Sequence, residues 1–378
     1  MSIAQPVPQP IVAPPEPAEN RRSVASQWQL MWWKFRKHKL AVVSAVCVAL
    51  VYVVAIFAPF LAPYNPDTIT ARSTYAPPQA LHFFDNGRWI GPHVYALSQT
   101  VDPRALRRVY VADPNNKIML GWFVQAEPYK LFGFIPAERR LFGAINADQP
   151  IYLMGADRLG RDVLSRIIYG AQISMSIGLV GVFLGLILGV VLGGVSGYYG
   201  GKIDEIIQRS IDLLRSIPTI PLWMGLAAAV PKDWSSLQIY FAVTVILSFI
   251  SWTDMARVVR GRFLSLREED FVMAARLDGL REPRIILRHM VPAFTSHIIA
   301  SLMLAIPSMI LAETSLSFLG LGIQPPSVSW GVLLQEAQNV RAVATAPWLL
   351  SPALVVVFVV LVLNFLGDGL RDAADPYA

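Results

Sequence analysis

Residues 40–62 read "LAVVSAVCVALVYVVAIFAPFLA", 23 positions without a charge. Wound as a helix rising ~1.5 Å per residue, this run crosses the ~30 Å hydrocarbon core of a bilayer. Uncharged runs recur at 171–201, 216–230, 235–253, 290–312 and 348–367, so six transmembrane helices are expected. The third run is the least clean, because Arg209, Asp212 and Arg215 stand just before Pro218. Spaced three apart on one helix face, these three charges are expected to pair near the headgroups. Composition agrees with an all-α polytopic membrane protein: of 378 residues 54% are hydrophobic and 15% charged, and the mean hydropathy is +0.47.

Positive charge in short loops sets orientation. Lys34, Arg36, Lys37 and Lys39 precede the first span, and Arg257, Arg260, Arg262, Arg267, Arg276, Arg281, Arg284 and Arg288 follow the fourth. The loops after the third and fifth spans carry only Lys232 and Arg341. Both termini and the arginine-rich loop are therefore expected in the cytoplasm. The long segment after the first span escapes the loop-charge rule and is expected outside. Its short aromatic runs, "FFDNGRWIGP", "KIMLGWFVQ" and "YKLFGFIP", are punctuated by turn residues, with Asn86-Gly87 as a hairpin turn. The expected organisation is a Pro-rich tail with a basic and aromatic flank at 1–39, transmembrane helix 1 at 40–62, a small β- and loop-rich extracytoplasmic insert at 63–155, and a core at 156–378. That core holds five more spans and a charged hairpin at 265–292. The tail itself, "MSIAQPVPQPIVAPPEPAEN", has the composition of a disordered segment and no signal-peptide core.

Cys47 is the only cysteine, which excludes an intramolecular disulfide and a cysteine metal site. The net charge of +6 sits beside the spans, where it meets anionic lipid; no basic stripe with interleaved aromatics points to nucleic acid. "SGYYGGKID" lacks the first glycine and the final Ser or Thr of a phosphate-binding P-loop, and His38, His82, His93, His289 and His297 show no metal-ligand spacing. No enzyme chemistry and no bound cofactor or metal is expected of this chain. Glu313 lies ~31 Å along the fifth helix from Pro292, toward the outer interface, and is read as a structural hydrogen-bonding group.

Two features remain. Glycine at 181, 185, 189, 193 and 197 builds a side-chain-free ridge along one face of the second span, suited to close helix packing inside this chain or against a partner. The stretch "REEDFVMAARLDGLREPRIILRHMVP" is a charged helical hairpin between apolar runs. Ser265 and Glu268 have the spacing of a capping box, Gly279 suits a left-handed C-terminal cap, and Pro283 suits the first turn of a second helix. Phe271, Ala274 and Ala275 on the short first helix fit insertion into a groove on another protein.

"MAARLDG" followed by "HMVP" resembles the EAA signature of ABC-importer permeases. Ala274, Ala275, Gly279 and Pro292 fall in register, while Met273, His289 and Val291 replace the usual Glu, Ile and Leu. "GADRLGRDVLSRIIYGAQIS", "LSFLGLGIQPPSVSWG" and "LNFLGDGLRDAADP" resemble signatures of the C-type permease subunit of oligopeptide, dipeptide and nickel importers. With the hairpin they cover residues 150–378 in order.

The resemblance implies a type I ABC importer permease of the bacterial inner membrane. Such a subunit forms half of the pathway with a sibling permease, is driven by two cytoplasmic ABC ATPases and is supplied by an extracytoplasmic substrate-binding protein. Asp270, Phe271, Ala274, Ala275, Arg276, Gly279 and Pro292 would then belong to the ATPase-coupling hairpin. Peptides are the expected cargo, with nickel chelates or oligosaccharides as alternatives. The insert would contact the binding protein or cap the sibling. A self-sufficient secondary transporter or channel is the competing class; it would show inverted repeats, broken midplane helices or a paired intramembrane charge, of which only Pro218 and Pro221 give a hint. A membrane-anchored receptor would need one span, not six.

Overall fold

The structure is a computed structural model and describes residues 26–85, 87–101, 108–146, 148–231 and 233–374. The disorder expected of the Pro-rich tail falls largely on residues 1–25, and these and Asn86 lie outside the described residues.

Helix α1 (Gln27–Lys37) begins in a capping box between Ser26 and Gln29 and leads through His38 into α2 (Lys39–Ile56). An antiparallel meander follows: β1 (His82–Asp85), β2 (Arg88–Val101), β3 (Arg108–Leu131) and β4 (Ile135–Ala144), adjacent in chain order. Asp85 pairs with Arg88 and Gly87 has φ +80°, the left-handed backbone that a tight hairpin connection asks of glycine. Helix α3 (Val163–Tyr199) is 37 residues long and capped by Asp162. The apolar run that begins at residue 171 therefore continues a helix already under way from Val163. Then come α4 (Gly201–Ser216), α5 (Thr219–Ala228), α6 (Ser236–Leu266), α7 (Asp270–Leu277), α8 (Thr295–Phe318), α9 (Trp330–Glu336) and α10 (Ser351–Ala374).

Among the described residues five helices are long and apolar enough to cross a membrane: α2, α3, α6, α8 and the stretch Pro347–Ala374 that contains α10. The expected third span is built differently. Pro218 ends the preceding helix, and α5 has only 10 residues, which extend ~15 Å and do not cross alone.

The glycine ridge fixes the packing. A Cβ on Gly193 would fall 2.4 Å from the Ala256 carbonyl oxygen, and one on Gly197 would fall 2.7 Å from that of Arg260. Gly185 faces Ser251 and Gly189 faces Met255, so residue numbers rise together and α3 runs parallel to α6. All five ridge glycines are buried; Gly181 sits on Met309 of α8, and the other four sit on α6. Ile310 lies on Gly178 and Glu313 bonds Ser174, which makes α8 antiparallel to α3. Gly369 of α10 touches Ala41, whereas Phe358 lines a cavity with Leu50 and Val54, so α10 is antiparallel to α2. The hairpin 265–292, the start of α2 and the end of α10 thus share one end of the bundle. The meander occupies the other, where the Tyr64 amide donates to Ser165 Oγ at 3.0 Å and ties the exit of α2 to the start of α3.

Candidate functional site

At the hairpin end α6 does not stop where its local cap signal stands. Ser265 lies inside α6, and α7 is entered through Glu269 with no side-chain cap bond, so the Ser265–Glu268 capping box is not formed. The reason is tertiary: Phe263, fully buried against Gly194 and Gly197, holds the last turns of α6 in helix. The far end of α7 follows its local sequence. Gly279 has φ +71°, its amide donates to Arg276 at 3.0 Å, and the Leu280 amide donates to Ala275 at 3.2 Å. That pair of bonds is a Schellman stop. Pro283 then sits in the first turn of Glu282–Ile285, and a wider π-type turn over Ile286–Met290 leads through exposed Pro292 to α8.

Helix α7 has two faces. Val272 and Ala275 point inward and join Phe263, Ile285, Met290 and Phe294 in a buried cluster. Asp270, Phe271, Ala274, Arg276 and Leu277 point outward, with Leu277 87% exposed. Ala275, expected beside Ala274 at a partner, instead seats α7 on its own chain: eight residues of helix did not reveal which of two adjacent alanines turns in. Arg276 lies 5.0 Å over the Tyr198 ring, a cation–π contact that ties α7 to the end of α3. The outward face carries Phe271, Ala274 and Leu277, apolar groups amid charges and suited to a groove with acidic or polar rims.

Ion pairs link this end to α4. Arg260 bonds both oxygens of Asp204 at 2.5 and 2.6 Å, Asp212 pairs with Arg257, and Arg215 pairs with Asp254. The hydrogen bonds from Arg260 hold the Asp204 carboxyl below its usual range. Asp212 and Arg215 therefore pair across to α6, not with each other as their spacing had suggested.

The opposite end contains a group of which sequence reading singled out only Glu313. Asp157 accepts from Arg161 Nε at 2.6 Å and lies 3.6 Å from Arg166 Nε, all three nearly buried, and the Arg158 amide donates to Glu336 Oε1 at 2.8 Å. Burial pushes the Glu336 carboxyl up. Gly160 has φ +74° against the Thr70 carbonyl, and Trp348 Nε1 donates to the Ala156 carbonyl at 2.9 Å. Glu313, fully buried, accepts from Ser174 at 3.1 Å and Ser317 at 2.8 Å, while Ser174 Oγ also accepts from the Trp330 amide. Around Asp157 the sequence signal was the glycine and charge pattern of "GADRLGRD"; the Glu336 that meets the Arg158 amide stands 178 residues away.

Known families and proteins match this chain over most of its length. Residues 181–377 match the family described as "Binding-protein-dependent transport system inner membrane component", and residues 26–78 match "N-terminal TM domain of oligopeptide transport permease C". The glutathione transport system permease protein GsiD of Escherichia coli O6:K15:H31 is 33% identical over 353 residues, 93% of this chain and 91% of that protein. The oligopeptide transport system permease protein OppC of Escherichia coli K12 is 42% identical over 226 residues, 60% of this chain and 72% of that protein. A chain of the inward-facing MetNI methionine ABC transporter aligns over 55% of this chain and 96% of its own length, at 17% identity and a TM-score of 0.45. With α7 and its Schellman stop at one end and the family match running unbroken from Gly181 to Tyr377, the chain belongs to the binding-protein-dependent transport system inner membrane components, as an oligopeptide/dipeptide-type ABC importer permease.

Proposed function

We propose that this permease carries short peptides, forms half of a pathway with a sibling permease, and receives the ATPase stroke through α7. The observation that carries this reading is the division of α7 into a seated face, Val272 and Ala275, and a presented face, Phe271, Ala274 and Leu277. Such a helix is held firmly enough to transmit force and leaves an apolar face for a partner. The relatives named for glutathione and oligopeptide transport support a peptide cargo. ATP hydrolysis is assigned to two separate cytoplasmic subunits and substrate capture to an extracytoplasmic binding protein.

The parallel run of α3 and α6 supports six crossings, because the chain between them must return across the bilayer. Helix α4 begins that return along α6 through its ion pairs, and α5 completes it. Arginines at the hairpin end favour a cytoplasmic location for that end and for both termini, with residues 63–155 outside. The boundaries 1–39, 40–62, 63–155 and 156–378 stand as the proposed organisation.

The test is substrate-stimulated ATPase activity of the reconstituted complex. Ala274→Arg is expected to abolish stimulation at normal yield, and Ala275→Arg to lower the yield itself, because its side chain enters the buried cluster. Gly279→Pro should also uncouple, since proline cannot take φ +71°. Full stimulation in Ala274→Arg would remove α7 as the coupling helix.

A further inference from the structure

The tip of the β3–β4 hairpin carries apolar side chains that the described residues leave largely exposed. Residues 131–137 read "LFGFIPA", without a charge, and Phe132, Phe134 and Ile135 are exposed, Phe134 by 73%. This tip is not held out into water. The Phe132 ring meets Phe57 edge-on at a centroid distance of 5.6 Å, and Phe123 lies 6.1 Å from Phe60. Phe57 is the residue that ends α2. The hairpin therefore folds back to the level at which α2 leaves the hydrocarbon.

Two further observations point the same way. Val43, Val46, Leu50, Val53 and Phe57 are exposed at alternating three- and four-residue spacing, one stripe along α2 that continues directly into Phe132. The turn itself is closed by the Phe134 amide donating to the Leu131 carbonyl at 3.3 Å, with φ +55° at Phe132 and +81° at Gly133. Positive φ at both central positions is the type I′ arrangement, which favours Asn-Gly; a phenylalanine there is strained. The strain is retained where it aims a ring at the end of a membrane helix. Exposed Lys130 and Arg139 flank the tip, with exposed Glu138 beside them.

We propose that Phe132, Phe134 and Ile135 insert into the headgroup and upper acyl region of the leaflet at the insert end, making the hairpin a second membrane anchor beside α2. Aromatic and aliphatic side chains concentrated at this depth gain from leaving water while their backbone keeps its strand pairing. The anchor fixes the height of the insert above the bilayer, and with it the height of any surface the insert offers a partner. This requires that α2 spans the membrane; it does not depend on α7 meeting an ATPase.

The single cysteine makes the test direct. Cys47→Ala with Phe134→Cys gives one nitroxide label at the tip of the full chain, and Cys47→Ala with Asn115→Cys gives one on an exposed part of β3. In vesicles of phosphatidylcholine and phosphatidylglycerol, the tip label should be relaxed severalfold more by oxygen, relative to a water-soluble nickel chelate, than the Asn115 label. Ile135→Cys should behave as Phe134→Cys does, which guards against a local fault of one variant. Equal relaxation at the tip and at Asn115 would overturn the proposal. Shielding of the tip from both reagents would overturn it too, by showing a protein cover in place of lipid.

Discussion

Asp157 and Asp204 each hold an arginine, the first pair nearly buried and the second half-buried among more exposed neighbours. Asp157 is 2% exposed, bonds two backbone amides besides its arginines, and lies at the insert end near Glu336, the last residue of α9. Asp204 and the neighbouring pairs Asp212–Arg257 and Asp254–Arg215 lie at the hairpin end, and the last two are about half exposed or more. Exposed pairs contribute little and re-form readily, whereas a buried charge stripped of its partner costs several kcal/mol. The bundle is therefore compliant where α7 would receive a push and stiff at the far end.

The largest expected effect comes from the helix that joins the two ends. A side chain at Gly193 would meet the Ala256 backbone, with the oxygen 2.4 Å and the Cα 2.8 Å from the new Cβ. Neither atom can turn aside, so Gly193→Leu should separate α3 from α6 and remove folded protein after detergent extraction. Gly189→Leu should follow, since Met255 Cβ stands 2.6 Å away. Val191→Leu, on the exposed face of the same helix, is the control and should extract normally. Normal extraction of Gly193→Leu would dissolve the parallel contact and with it the distinction between the ends.

A smaller effect sharpens the contrast. Asp157→Ala leaves Arg161 and Arg166 without their shared carboxylate, and should cost about 3–5 kcal/mol. Asp212→Ala breaks an exposed pair and should cost about 1 kcal/mol or less. Thermal aggregation midpoints in detergent measure both, and equal losses would show that the two ends are held alike.

How much of this could be read from sequence depended on how local the cause was. Gly279 was legible because a left-handed cap is a property of one residue and its neighbours. The glycine ridge was legible as a surface, but not its partner, since spacing along one helix cannot say which helix lies against it. The Ser265–Glu268 box failed because Phe263, two residues earlier, is pinned by α3. The meander was visible as aromatic runs and one hairpin turn but not in its strand lengths; β3 continues through Asp113-Pro114-Asn115-Asn116, which locally reads as a turn, because β2 shifts register beside it. Asp157 was invisible as a centre because nothing in the local sequence says that Asp157, Arg161 and Arg166 are buried together, or that Glu336 comes from far along the chain to meet the Arg158 amide.

The smallest expected effect separates the ends by the sign of their response to pH. At the hairpin end the Asp204 carboxyl is held low by Arg260 hydrogen bonds, so its stabilisation is complete above the ordinary Asp range near ~4 and is lost as pH falls through its lowered value. At the insert end Asp162 is buried, and burial pushes it from 3.8 up to about 6 against the lowering effect of the Ser165 hydrogen bonds. The folded chain then binds the Asp162 proton more tightly than the unfolded chain does, so this end is most stable below ~4 and weakens as pH rises toward about 6. Hydrogen exchange of the first turn of α3, corrected for intrinsic rates, should show protection declining across that window, while α4 gains protection over the acid range. Asp162→Asn keeps an oxygen for the Ser165 amide and removes the titration, so it should flatten the α3 profile and leave α4 unchanged. A wild-type profile in that variant would mean that a different group sets the pH response of the insert end.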